Sequence, residues 1–126
     1  MENPSDRKYT KEHEWIKEDG TMGITDHAQH LLTDVVFVEL PEIGKKVEHM
    51  KPMGVIESVK SVSDIYAPVT GEIIDINKEL EQHPEYINNS PFDKGWIAKI
   101  KIQNPDELKA LMSSKEYDEF IKEQHS

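Results

Sequence analysis

Lys60 is the side chain whose setting suggests chemistry. Lysines are frequent in this 126-residue chain, and most need no explanation beyond a solvated surface. Lys60 instead sits inside the polar run Glu57-Ser58-Val59-Lys60-Ser61-Val62-Ser63-Asp64, between the apolar segments Gly54-Val55-Ile56 and Ile65-Tyr66-Ala67. Two strands flanking a polar turn would hold its amine at the tip of a tight hairpin. Such a hairpin presents one amine to a modifying enzyme and then anchors one end of a long arm. Gly44, sixteen residues earlier, and Gly71, eleven later, could supply the backbone angles that β-turns demand. A lysine on a hairpin is still more often an ordinary surface residue, so this pattern alone decides little.

Other candidate groups carry less. There are no cysteines, which excludes disulfides, cysteine nucleophiles and thiolate metal sites. Any redox chemistry therefore has to arrive on an attached cofactor. His27 and His30 lie three apart on an expected helix, but no third metal ligand accompanies them. His13-Glu14-Trp15 is not the helical zinc motif, which needs a second histidine where Lys17 stands. With no nucleophile–base pair, phosphate loop or metal set, the chain reads as non-catalytic and metal-free. A net charge of −10 would repel a phosphate backbone, which argues against nucleic-acid binding. The same charge suits a carrier docking on basic partners, and equally an ordinary acidic protein. No apolar run approaches the length of a membrane span. The opening Met1-Glu2-Asn3-Pro4-Ser5-Asp6 has neither an apolar signal core nor an Arg-rich presequence, which reads as cytoplasmic.

The elements that must position Lys60 follow from local patterning. The length fits a single domain over residues 1–126, with residues 1–8 loose. Trp15 to Ile24 reads as a hairpin turning at Asp19-Gly20, a dipeptide suited to a type I′ turn. Asp26-His27-Ala28-Gln29 resembles a capping box opening a short helix to about Leu32. Val35 to Leu40 is a strand stopped by Pro41; Met53 to Val59, Ile65 to Ala67 and Gly71 to Ile76 are further strands. Residues 78–94 hold a polar helical piece and a loop marked by Pro84 and Pro91. Trp96 to Ile102 alternates as a half-buried strand with Trp96, Ala98, Ile100 and Ile102 inward, and Phe37 and Trp96 read as core. Asn104-Pro105-Asp106-Glu107 starts one helix and Ser113-Ser114-Lys115-Glu116 another, the latter burying Tyr117, Phe120 and Ile121. The fold class is mostly β, of the barrel-sandwich kind, with short helices that include a C-terminal pair over 104–124.

Glu57-Ser58-Val59-Lys60, with Ala67-Pro68-Val69-Thr70-Gly71-Glu72 after it, resembles the lipoyl-attachment segment of glycine cleavage H proteins. Tyr9 to Trp15 is similar to that family's opening, and Gly23 to Gln29 and Asp34 to Pro41 to its next blocks. Asn88-Asn89-Ser90-Pro91, Gly95-Trp96 and the helical tail follow in the same order. Several blocks in one order are far more specific than one motif. The resemblance implies a hybrid barrel-sandwich with lipoic acid covalently attached to Lys60, and a shuttle that catalyses nothing itself. It implies four partners. A pyridoxal-phosphate glycine decarboxylase (P protein) leaves an aminomethyl group on a lipoyl sulfur. A tetrahydrofolate-dependent aminomethyltransferase (T protein) removes it, and a flavin dihydrolipoamide dehydrogenase (L protein) reoxidises the dithiol. A lipoyl ligase or lipoyltransferase attaches the cofactor. It further implies a cleft shielding the labile cargo from water. Glu14 and Asp64 would approach the amine end of the arm there, and His30 would line the cleft. Glu12 stands where some members have a small hydroxyl residue.

Two departures accompany the resemblance. The segment from Trp15 to Gly23 is shorter than usual, and Thr33 stands where the family commonly has glycine. A biotin carrier uses the same hairpin but flanks its lysine with methionines, whereas Val59 and Ser61 flank Lys60. The lipoyl domains of 2-oxo-acid dehydrogenases use Asp-Lys-Ala on a smaller module. H-like proteins serving sulfur oxidation or lipoate relay keep the lysine, so Lys60 does not separate them from the glycine cleavage role.

Overall fold

The computed structural model describes residues 1–124 and is built on two sheets whose strands pair antiparallel. In chain order the elements begin with β1 (Lys8–Tyr9), β2 (Glu14–Ile16), β3 (Thr21–Ile24), α1 (Asp26–Leu32), β4 (Val35–Glu39) and β5 (Lys46–Val47). They continue with β6 (Pro52–Ser58), β7 (Val62–Tyr66), β8 (Gly71–Ile76), a 3-10 turn (Lys78–Glu81) and α2 (Tyr86–Asn89). The chain then forms β9 (Ala98–Ile102), α3 (Pro105–Lys109) and α4 (Ser114–Gln124). One sheet runs β1-β2-β3-β9-β8-β5 and the other β4-β6-β7. The mostly-β expectation, with a C-terminal helical pair, agrees with this architecture.

Inward aliphatic residues of both sheets, among them Ile16, Met22, Val38, Ile56, Ile65, Ile73 and Ile100, form one buried cluster. Burial of such side chains contributes roughly 1.5–3 kcal/mol each. A second cluster lies under α4, where Tyr9, Trp15 and Tyr117 pack with Phe92, Trp96 and Phe120.

Several local expectations need correction. In the first hairpin only Gly20 has a positive φ, +91°, while Asp19 does not. A type I′ turn needs both; this is instead a turn closed by the Gly20 N–H on the Lys17 carbonyl (3.0 Å), with glycine in the left-handed position. The cap of α1 is Thr25 rather than Asp26: its side chain accepts from the Ala28 N–H at 3.2 Å. Gln29 bonds the Asp26 side chain instead of closing a capping box. Phe37, read as core, is 53% exposed. A bulge between Val35 and Phe37 breaks the alternation, so Val36 and Phe37 both face out while Val35 and Val38 stay buried. Trp96 is half-buried against the second cluster, and Ile97 is buried where the alternation assigned it outward. Residues 1–8, expected loose, are tied by Asn3 donating to Asp118 (2.6 Å) and by Tyr9 donating to the Pro4 carbonyl (2.5 Å).

Candidate functional site

β6 and β7 pair antiparallel, their last partners being Glu57 and Val62, and Lys60 stands in the turn between them. Ser58 organises that turn. Its Oγ accepts from the N–H groups of Lys60 (3.3 Å) and Ser61 (3.1 Å), and its own N–H donates to the Ser61 carbonyl at 2.8 Å. The Val59 N–H donates to the Asp34 carbonyl at 3.0 Å, pinning the turn to the start of β4. Lys60 is exposed, and among the described residues no ion pair engages its ammonium. Val59 and Val62 beside it are 67% and 65% exposed. A backbone fixed by four hydrogen bonds thus carries an accessible amine, which suits covalent attachment of a long acyl arm.

A cavity of about 420 Å³ begins at Val62 and Asp64, on the strand leaving that turn. Ala28, Leu31 and Leu32 of α1 give it an apolar wall, and Glu12, His13 and Glu14 a polar one. Glu14 is only 1% exposed. The Thr10 hydroxyl donates to its Oε1 at 2.5 Å, and the Tyr66 N–H donates to its Oε2 at 3.2 Å. Burial outweighs these two bonds and pushes the carboxyl up to about 8. Asp64 lines the same cavity but is exposed.

His13 was not foreseen as a site residue. It holds a φ of +69° and lines the cavity. Its Nδ1 lies 2.7 Å from the Tyr117 hydroxyl, and its ring centroid 4.7 Å from that of His27. Burial, reinforced by His27, holds the imidazole down to about 4. Its place next to Glu14 was the one sequence signal available.

The cavity brings together Glu14 and Asp64, with Lys60 in the turn two residues before its lining residue Val62, and it does not include His30. The His30 side chain is 72% exposed, with Nε2 at 3.3 Å from Asp26. Leu31, turned by about 100° on the helix, lines the cavity in its stead. Among the described residues no group of three His, Asp or Glu side chains could hold a metal, and no helix is long and apolar enough to cross a membrane. A larger cavity of about 860 Å³, between residues 5–8, β8, β9 and α3, contains neither the lysine nor these carboxylates.

Residues 7–124 match the family model of the glycine cleavage H-protein. The glycine cleavage system H protein of Symbiobacterium thermophilum is 50% identical over 123 residues, covering 95% of this chain and 96% of its own. That of Halalkalibacterium halodurans is 48% identical over 124 residues, covering 96% of this chain and 97% of its own. The crystal structure of a glycine cleavage system H protein from Mycobacterium marinum aligns with a TM-score of 0.84 at 33% identity, over 98% of this chain and 100% of that one.

Proposed function

The chain belongs to the glycine cleavage H-protein family, and from that premise we propose that Lys60 carries lipoic acid and that the adjoining cavity receives the loaded arm. The family role is that of the lipoyl-bearing shuttle of glycine cleavage. No observation favours the sulfur-oxidation or lipoate-relay alternative.

The observation that carries the reading is an exposed lysine on a Ser58-stapled turn, with a cavity opening on the next strand. Lipoate supplies a dithiolane on a flexible tether, which takes up the aminomethyl group and two electrons. The chain's own residues do the rest. Lys60 anchors the arm by an amide bond. Val62, Leu31 and Leu32 offer the hydrocarbon of the arm an apolar surface. Asp64 and Glu12 set negative charge at the mouth, where a cationic amine gains from it. Glu14, buried behind them, meets that amine out of contact with bulk water. No side chain here performs a chemical step, so the protein acts as a non-catalytic carrier.

The partners proposed are a glycine decarboxylase, an aminomethyltransferase, a dihydrolipoamide dehydrogenase and the lipoyl ligase or lipoyltransferase that loads Lys60. The cytoplasmic location expected from the sequence belongs to the same proposal. The test is to treat the protein and its Lys60→Arg variant with a lipoyl ligase, ATP and lipoate, and to record intact masses. One lipoyl group on the wild type and none on the variant supports the reading; lipoate on Lys60→Arg refutes the site.

A further inference from the structure

Tyr117 is a buried hydroxyl that the carrier role has not used. It stands on α4, fully buried and stacked on Tyr9 with ring centroids 4.8 Å apart, yet its Oη reaches one residue of the cavity wall and the cap of the helix that forms the other wall. One is His13 Nδ1 at 2.7 Å, the other Thr25 Oγ1 at 2.8 Å. Thr25 caps α1, the helix that supplies the apolar wall, and its N–H donates to the His13 carbonyl at 3.0 Å. Both walls therefore meet at one phenol from the C-terminal helix.

The network allows one polarity that uses every proton. The Thr25 hydroxyl, whose oxygen accepts from the Ala28 N–H, can donate to the Tyr117 oxygen. With Thr25 as donor, the Tyr117 proton faces His13 Nδ1 and the imidazole hydrogen sits on Nε2. We propose that Tyr117 is a positioning residue for the cargo cleft: its hydroxyl, shared with Thr25, locks the His13 imidazole into one tautomer on the cleft wall. The proposal rests on the reading that the loaded arm enters this cavity. Its physical content is charge. A cationic amine enters against a wall that must not itself become cationic, and the Tyr117 proton occupies the lone pair through which His13 would protonate. The acidic Glu12 and, across the cavity, Asp64 stand on the side that favours the imidazolium, and Glu14 keeps its own proton below about pH 8. His27 on α1 and the burial given by Tyr117 and Phe120 of α4 oppose the imidazolium.

Tyr117→Phe tests this because it keeps the ring stacked on Tyr9 and removes only the hydroxyl. In the unloaded, nitrogen-15-labelled wild type, His13 is expected to keep its proton on Nε2 and not to titrate from pH 8 to pH 5. In Tyr117→Phe the hydrogen is expected to divide between Nδ1 and Nε2 and the titration to move upward, burial and His27 still opposing it. In the lipoylated, aminomethyl-loaded protein, the variant is expected to release its cargo roughly threefold to tenfold faster at pH 6, with a smaller excess at pH 8. Adding His13→Gln to Tyr117→Phe removes the excess at pH 6. A wild-type His13 that titrates, or a variant matching the wild type in both measurements, overturns the proposal. Cargo release from the wild type as fast as from small-molecule lipoamide would sink the cleft reading, and the cargo half of this proposal with it; the titration would still report the tautomer lock.

Discussion

The Tyr66 N–H donates to the Glu14 carboxyl at 3.2 Å and, in doing so, joins the two sheets at the cavity. Glu14 belongs to β2 of the six-stranded sheet and Tyr66 to β7 of the three-stranded one. With the Thr10 hydroxyl on its other oxygen, both Glu14 oxygens accept a hydrogen bond, and among the described residues no ion pair engages the carboxyl. A cationic cargo would supply one.

This burial makes stability depend on pH. Glu14, raised from 4.5 to about 8, keeps a proton in the folded state that the unfolded chain has lost. Its contribution therefore falls as pH rises from about 4.5 to about 8, by at most ~1.4 kcal/mol per pH unit. His13, lowered from 6.5 to about 4, has the opposite slope, and its contribution is lost as pH falls through that window. The two slopes cancel between about 4.5 and 6.5, so the pair leaves a decline from about 6.5 to 8. Urea midpoints are expected to drop over that interval in the wild type and to flatten in Glu14→Gln. A decline that survives in Glu14→Gln would assign it to other groups.

Replacing the same residue separates attachment from protection. Glu14→Ala leaves the Val59–Ser61 turn untouched, so lipoylation by the ligase should proceed at the wild-type rate. The aminomethyl cargo should be released severalfold faster, because a buried charge partner worth about 1 kcal/mol or more is gone. Equal release rates would remove Glu14 from the cleft.

Thr33 ends α1 with a φ of +64° and a ψ of −147°, a region almost reserved for glycine. The residue is β-branched, so the strain is real, and it sits one position before Asp34, whose carbonyl holds the Lys60 turn. Thr33→Gly is expected to stabilise the protein by about 1 kcal/mol, after the greater freedom of glycine in the unfolded chain is deducted. The melting temperature measures this directly, and a fall would mean that Thr33 makes compensating contacts.

The parts of the site legible in the sequence were local ones. A polar turn between apolar strands placed Lys60, and the Ser113–Glu116 cap forms as the spacing suggests, Ser113 N–H to Glu116 Oε1 at 2.8 Å and Glu116 N–H to Ser113 Oγ at 3.2 Å. What escaped was set by tertiary packing. Whether His30 or Leu31 faces the cavity depends on how α1 is rotated against the sheets, which its seven residues do not specify. Phe37 stands in an apolar run that reads as core, and such a run does not reveal the bulge that turns Val36 and Phe37 outward. The pairing of His13 with Tyr117 joins residues 104 positions apart, so neither segment announces it.

The central claim is that Lys60 bears the arm of a glycine cleavage carrier, and intact mass after a complete first reaction tests it most directly. The lipoylated protein is incubated with glycine and a glycine decarboxylase, beside a Lys60→Arg sample taken through the same lipoylation step. The account predicts an added aminomethyl group on the wild type, together with lipoate, and neither on the variant. A protein that is lipoylated on Lys60 yet never gains the aminomethyl group would contradict the glycine cleavage role while leaving the attachment site in place.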